Sequence, residues 1–312
     1  MATAETQQLD AIIAGRRRML ALGGTALAGI AFAGVNRAFA QSTVTDADIL
    51  NFALNLEYLE AQYYTYATTG SSLSANGGSI NGGGSGATGG TVTIKSNPKV
   101  PFADPTIASY AMETAGEERK HVAFLQNALG SSAVAMPNID LLNSFNGLAI
   151  AADIGTSFDP FANDLSFLFG SFIFEDVGVT AYHGAAALLS SKTYLDAAAG
   201  IMAVEAYHAG LIRTVLYGMD AANPAAGINA IASKIAAARA SLDGTGNDDI
   251  GLGTQSVSLN ASSSTYPAAT VVDADSNSLA FARTTTQVLS IVYAGGSGQG
   301  GFFPSGLNGN IK

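Results

Sequence analysis

The sequence predicts an all-α fold, a four-helix bundle with a long crossover between its second and third helices. Four long segments carry apolar residues at alternating spacings of three and four, the pattern of helices that bury one face in a bundle. Residues 131–158 separate the second segment from the third and are numerous enough to cross the bundle. An extra C-terminal helical segment and a loop or hairpin insertion complete the predicted architecture.

Residues 1–40 have the three parts of an export signal. Arg16 and Arg17 stand one residue before Met-Leu, an apolar run follows at 21–35, and Ala38-Phe39-Ala40 places small residues before a cleavage site. The adjacent arginines favour the twin-arginine route, and therefore a periplasmic or extracellular protein. A membrane anchor is the alternative, but the run is short and rich in glycine. No later segment has 18 uninterrupted apolar residues, so we expect no stable membrane span after cleavage.

The bundle itself is predicted to occupy residues 41–243. Its first helix covers 46–67 and ends before Gly70, and the second begins at Asp104-Pro105 and ends at Gly130. Between them, residues 70–103 are rich in glycine, serine and asparagine and form an insertion. The alternation at 91–95 predicts one strand of a small hairpin there.

The remaining helices follow closely on one another. Asp159-Pro160 repeats the start of the second helix and predicts a third helix that runs to about Leu189. The fourth is predicted over 193–217, and a fifth begins at Asn223-Pro224 and ends near Leu242. Residues 244–312 are interpreted as an irregular C-terminal extension with one short helix at about 278–293.

Composition restricts the chemistry that the chain can perform. The net charge is −10, from 14 basic and 24 acidic residues, and no basic patch is visible, which argues against nucleic acid as a partner. The chain has no cysteine, so thiolate chemistry and disulfides are excluded. Any metal must therefore be bound by carboxylates and by the three histidines.

Two of those histidines belong to a repeated motif. Glu-x-x-His occurs at Glu118 and His121 on the predicted second helix, and at Glu205 and His208 on the fourth. Residues three apart share a helix face, so both side chains of each motif can reach one metal ion. One such motif arises often by chance, but two on separate helices are a much stronger indication.

The apolar stripes of the other two helices are interrupted by glutamate as well. The third stripe contains Glu175 and the first contains Glu57, although Glu60 also lies on an apolar line and remains an alternative to Glu57. Buried carboxylates are costly without a counter-charge, and no lysine or arginine lies on these stripes. Two divalent cations would neutralise them, bound by Glu57, Glu118, His121, Glu175, Glu205 and His208.

Several neighbouring residues have a less specific interpretation. His183 is expected in the core or beside the ligands rather than among them. Four tyrosines near the predicted site are expected mainly to pack with their hydroxyls satisfied, although they could donate hydrogen bonds or carry electrons: Tyr58, Tyr63, Tyr64 and Tyr182. Three acidic residues are expected to be solvated or to contact the ligands: Glu113, Glu117 and Asp176.

Several segments resemble bacterial ferritin-like domain proteins related to the plant desiccation-related proteins. These segments are Leu50–Ala61, Glu117–His121, Phe174–Tyr182, Glu205–His208 and Arg283–Tyr293. The resemblance covers roughly residues 46–300. It implies a ferritin-like fold and a di-iron or di-manganese centre at the six residues named above. The 70–103 insertion argues against a closed cage, since it would crowd neighbouring subunits.

The leading functional hypothesis is redox chemistry on O₂ or peroxide, or oxidation of iron, in stress protection. Its cofactors would be two metal ions, iron or manganese, and its partners would be O₂, peroxide or metal ions, with a homo-oligomer possible. The alternative is a non-enzymatic stress-protective or surface scaffold with a structural or vestigial metal site. Iron storage is a third hypothesis and requires a large protein shell.

Overall fold

The computed structural model describes residues 44–246, 248–258 and 264–312. The predicted signal at 1–40 lies outside the described residues. The helices of the described part are α1 Asp46–Thr69, α2 Pro105–Leu129, α3 Asn143–Ala151, α4 Asp164–Ala186, α5 Lys192–Ala222, α6 Ile228–Asp243 and α7 Thr285–Val292.

Helices α1, α2, α4 and α5 form the bundle. Helix α1 packs along α2 and α4 packs along α5, and the two pairs meet through α1 and α4. The crossover between α2 and α4 contains the short helix α3. The predicted four-helix bundle with a long crossover is therefore confirmed.

Capping residues account for where the helices begin and end. Thr45 and Asp48 form a reciprocal capping box at the start of α1, and Gly70 ends α1 in the left-handed conformation with φ 81°. Asp104 accepts a hydrogen bond from the amide of Thr106 at 2.7 Å, and Pro105 opens α2. These signals are local in sequence, which is why both helices were predicted close to their observed bounds.

Three of the other helices begin later than the sequence predicted. Helix α4 begins at Asp164 with Asn163 as its cap, because the Asp159 carboxylate caps only the turn at Phe161. Pro224 opens a short 3₁₀ turn, and α6 begins after it at Ile228. Helix α7 spans Thr285–Val292 only, because its capping box is built from Thr284 and Gln287.

The predicted hairpin in the 70–103 insertion is not formed. Strand β1, Val92–Thr93, pairs in parallel with strand β2, Ile139–Asp140, in the crossover. The insertion is thereby held against the α2–α4 connection. An antiparallel pair, β3 Thr254–Val257 and β4 Tyr266–Ala269, lies in the stretch that was interpreted as irregular.

Helices α1 and α4 are buried on nearly every side. Within the described residues, α4 is the one helix long and apolar enough to cross a membrane by length and composition. However, 83% of its most apolar window is buried inside the protein, as in the core helix of a bundle. Burial on all sides explains why α4 carries apolar residues around its whole circumference.

The C-terminal segment covers the bundle rather than extending away from it. Helix α7 packs on α4 and α6. Beyond α7, Phe302 makes edge-to-face contacts with Phe145 and Phe174, whose ring centroids lie 5.1 and 4.9 Å from its own. The amide of Asn308 donates to Asn55 of α1 at 3.0 Å, and the Asn55 side chain donates back to the Asn308 carbonyl at 2.9 Å.

Candidate metal centre

The bundle brings the six predicted ligand residues together in its interior. Their exposed fractions range from 0% to 8%: Glu57, Glu118, His121, Glu175, Glu205 and His208. Helices α2 and α5 each contribute a Glu-x-x-His motif, and α1 and α4 each contribute one glutamate. The spacing of three places glutamate and histidine on the inward face of one helix, as the sequence predicted.

The six residues form two overlapping groups. In the first group, ligand atoms of Glu57 and His121 lie within 4.8 Å of those of Glu118 and Glu205. In the second, Glu175 takes the place of Glu57 and His208 that of His121. Glu118 and Glu205 belong to both groups, so their carboxylates lie between two adjacent positions.

Distances within the groups are similar on the two sides. The Nδ1 atom of His121 lies 3.2 Å from Glu57 Oε2 and 3.2 Å from Glu205 Oε1. The Nδ1 atom of His208 lies 3.0 Å from Glu118 Oε1 and 3.4 Å from Glu175 Oε2. Each imidazole therefore faces one carboxylate of its own group and at least one that is shared between the groups.

The donor set fits a metal ion better than it fits hydrogen bonding. The inward atoms are buried and have no partner of hydrogen-bond geometry among the described residues: Glu57 Oε2, both oxygens of Glu118 and Glu205, Glu175 Oε2, and Nδ1 of His121 and His208. Buried polar atoms almost always have a hydrogen-bond partner, so the convergence of these atoms without one needs another explanation. Cations between them would satisfy all of these atoms, and carboxylate and imidazole are ligands suited to divalent iron or manganese.

The electrostatics of the protein chain alone show how strongly the cavity favours positive charge. Burial raises the pKa of Glu57 to about 7 and raises that of Glu205 well above its usual range. Burial would also raise the pKa of Glu118, but the adjacent imidazoles lower it to about 2. The carboxylates in turn raise the pKa of His121 and His208 against the effect of burial. Without metal, protonated His121 and His208 would supply the positive charge that balances the carboxylates.

Tyrosines support the outer glutamates in a crossed arrangement. The hydroxyl of Tyr182 on α4 donates to Glu57 Oε1 on α1, and the hydroxyl of Tyr64 on α1 donates to Glu175 Oε1 on α4. Each tyrosine lies seven residues after the glutamate of its own helix. The two tyrosines therefore hold the outer oxygen of each carboxylate on the facing helix and leave the inward Oε2 atom unpartnered, beyond the packing role expected of them.

His208 is held from outside as well. Its Nε2 atom lies 2.7 Å from Glu117 Oε2, which orients the ring so that Nδ1 points inward. The sequence predicted that Glu117 is either solvated or in contact with a ligand residue, and the structure shows its contact with His208. Glu113 is exposed.

Glu60 and His183 lie outside the two groups. Glu60 is buried at 5% exposure on α1, one turn after Glu57, but none of its oxygens belongs to either group. The Nδ1 atom of His183 lies 3.0 Å from the carbonyl oxygen of Phe281, away from the cluster. The structure thus places Glu57 rather than Glu60 with the other predicted ligand residues.

A second buried cluster, which the sequence analysis did not predict, involves Asp176 of α4. Asp176 is 2% exposed and contacts Arg213 at 2.9 Å and Arg239 at 2.7 Å, so the expectation that it is solvated or bonded to a ligand was wrong. Arg239 also makes bonds of 2.7 Å to both oxygens of Asp249. Because guanidinium groups already neutralise these carboxylates, this cluster is an ion-pair network rather than a metal site.

Comparisons with known proteins agree with this geometry. The family model of the ferritin-like domain matches residues 45–218. The chain is 31% identical over 252 residues to desiccation-related protein PCC13-62 of Craterostigma plantagineum, covering 78% of this chain and 76% of that protein. It is 27% identical over 273 residues to ferritin-like catalase Nec2 of Nesocodon mauritianus, covering 85% and 84%. No solved structure gave a significant match. The family match and these relatives show that the chain belongs to the ferritin-like domain family.

Proposed function

We propose that the cluster is a two-metal centre of iron or manganese that carries out redox chemistry on hydrogen peroxide or O₂ in stress protection. The observation that carries the proposal is the convergence of buried, unpartnered carboxylate and imidazole atoms on two adjacent positions. Such a cluster is strongly unfavourable without cations, and its ligand set is that of the redox-active centres found in ferritin-like bundles.

Each ligand has a definite place in this proposal. Glu118 and Glu205 would bridge the two positions, Glu57 and His121 would complete one, and Glu175 and His208 the other. Two ions bound there would polarise a small oxidant and exchange electrons with it. The chain excludes bulk water from the site through burial, and it holds the outer carboxylates with the hydroxyls of Tyr64 and Tyr182.

Peroxide is the first oxidant to test, because one relative is a ferritin-like catalase. Disproportionation converts two molecules of hydrogen peroxide into two of water and one of O₂, and it needs no other substrate. Oxidation of Fe(II) by O₂ or peroxide is the second reaction to test. The desiccation-related relative is named for a stress condition and not for a reaction.

The proposal predicts that metal-loaded protein consumes an oxidant. Protein freed of metal with a chelator and reloaded with Fe(II) or Mn(II) should evolve O₂ from hydrogen peroxide or consume O₂, followed with an oxygen electrode. The metal-free protein is the control, together with free metal ions at the same concentration. Metal analysis should give about two ions per chain, the number of positions that the six ligands surround.

Absence of turnover with both oxidants would contradict the hypothesis that the protein is an enzyme. If the protein nevertheless bound metal, the non-enzymatic scaffold with a structural or vestigial metal site would be favoured. A mass measurement in solution distinguishes the enzyme and the non-enzymatic scaffold from an iron-storage protein, which requires a large shell and many iron atoms per chain.

We also propose that residues 1–40 direct export by the twin-arginine route. Changing Arg16 and Arg17 together to lysine should leave the full-length protein inside the cell, because that pathway depends on the arginine pair. Cell fractionation with immunoblotting measures this. Arg18→Lys, which lies between the pair and Met-Leu, is the matched control and should be exported. Normal export of the double variant would contradict the proposal.

A further inference from the structure

Two small apolar cavities lie end to end between α4 and the C-terminal segment. Each has a volume of about 20 Å³, and they share Ile173 of α4 and Ile291 of α7 as walls. A volume of this size holds one water-sized molecule. The outer cavity is also lined by Ile154, Phe158 and Ala238, which are partly exposed, and so it begins near the protein surface.

The inner cavity reaches residues that lie beside the candidate metal centre. Its wall includes Glu60 of α1 and Gly178 of α4. A Cβ atom added at Gly178 would lie 2.8 Å from Glu205 Oε2 and 3.4 Å from Glu60 Oε1. The carboxylate of Glu205, which belongs to both ligand groups, therefore packs directly against the glycine backbone that forms part of this wall.

The walls of the two cavities suit an uncharged apolar molecule. Apart from Glu60 at the inner end and Arg239 in the outer cavity, the lining side chains are hydrocarbon or aromatic. The guanidinium of Arg239 is already bonded to Asp176 and Asp249. A polar molecule would lose its hydrogen bonds to water on entry, whereas O₂ has none to lose.

A polar molecule has a different side of the site available. The side chain of His121 is 10% exposed, and Glu117, which contacts His208, has a side chain that is 34% exposed. This edge offers hydrogen-bonding groups to peroxide and water. The polar edge therefore lies at His121 and at the contact of His208 with Glu117, whereas the apolar cavities approach the cluster beside Glu205.

We propose that the two cavities form a passage for O₂ between the surface and the metal centre, with Ile173 and Ile291 as its narrow point. The inference rests on the proposed function, in which O₂ is either the product of peroxide disproportionation or a substrate. The passage also gives a reason for the C-terminal segment to pack on the bundle, since α7 forms one of its walls.

Xenon is a probe of the passage that does not depend on activity. In crystals of the metal-loaded protein under xenon pressure, we expect xenon in both cavities. Ile173→Phe should fill the narrow point and remove xenon from the inner cavity, and Ile291→Phe is a second variant in case the first does not fold. Ile150→Phe is the matched control, because Ile150 is 62% exposed on α3 and lines neither cavity.

Kinetics then test whether the passage is used. In stopped-flow experiments, the reduced, metal-loaded Ile173→Phe protein should react with O₂ at least about tenfold more slowly than wild type, equivalent to about 1.4 kcal/mol of barrier. Its reaction with hydrogen peroxide should change much less. Circular dichroism and metal content show whether each variant is folded and loaded.

The outcomes separate this inference from the proposed function. Absence of xenon from both wild-type cavities, or an unchanged O₂ rate in a folded Ile173→Phe protein, would overturn the passage while leaving the metal centre intact. If wild type reacted with neither oxidant, the proposed function would fail, and xenon lost from the inner cavity of Ile173→Phe would still support the passage.

Discussion

Changing Glu118 to glutamine is expected to impair both metal positions at once. Glu118 is fully buried, belongs to both ligand groups, and lies 3.0 Å from His208 Nδ1 and 3.5 Å from His121 Nδ1. Glutamine keeps the size of the side chain but removes its charge and one of its two acceptor oxygens. We expect the metal content to fall by more than half and turnover to fall by at least about 100-fold, since loss of a supporting outer contact alone costs 10- to 100-fold.

Elemental analysis of the purified protein measures the first quantity, and the oxygen electrode measures the second. Glu113→Gln is the matched control, because Glu113 lies on the same helix but is exposed. It should retain wild-type metal content. A Glu118→Gln protein with a full complement of metal would show that Glu118 is not a ligand.

The largest loss of stability is expected from Arg239→Leu. Arg239 is 2% exposed, donates to Asp176 and to both oxygens of Asp249, and lies over the ring of Phe172 at 4.6 Å. Leucine fills part of the space but removes one of the two guanidinium partners of each of these buried carboxylates. Breaking a buried ion pair by removing one partner costs about 3–5 kcal/mol, and we expect a decrease of that size in the free energy of unfolding.

Denaturant unfolding of the metal-free protein, monitored by circular dichroism, provides the measurement. Lys234→Met on the same helix is the matched control. Lys234 pairs with Asp153 at 2.9 Å, but their side chains are 48% and 95% exposed. Exposed pairs contribute about 0–1 kcal/mol. Equal effects of the two substitutions would mean that the buried network does not hold α6 against α4.

The residues of the buried Glu and His cluster could be predicted because each of them violates a local rule. Glu175 stands alone in the apolar stripe of α4, and a carboxylate in such a position needs a cation that the helix itself does not supply. The Glu-x-x-His spacing is likewise readable within one helix. Glu57 and Glu60 could not be separated in this way, because α1 is buried on nearly every side and both of its glutamates lie on buried lines.

The features that were missed depend on partners far along the chain. Arg213 and Arg283 lie outside the apolar stripes, and their acidic partners come from other elements or from loops. Val92–Thr93 alternates as a strand should, but its partner is Ile139–Asp140 in the crossover rather than a neighbouring strand. Only the assembled fold reveals pairings of this kind, since no periodicity within a segment reports them.

The bonds between Asn55 and Asn308 join residues 253 positions apart. During synthesis, α1 leaves the ribosome long before residues 302–310 exist, and loops of this length close late in folding. The side chain of Phe302 and the tail beyond it can therefore cover the bundle only after the Glu-x-x-His helices have been made. For the proposed metal centre, ions in the compartment of synthesis would meet an open interior first and a covered one afterwards, and their supply at the time of folding would help to decide which metal is bound.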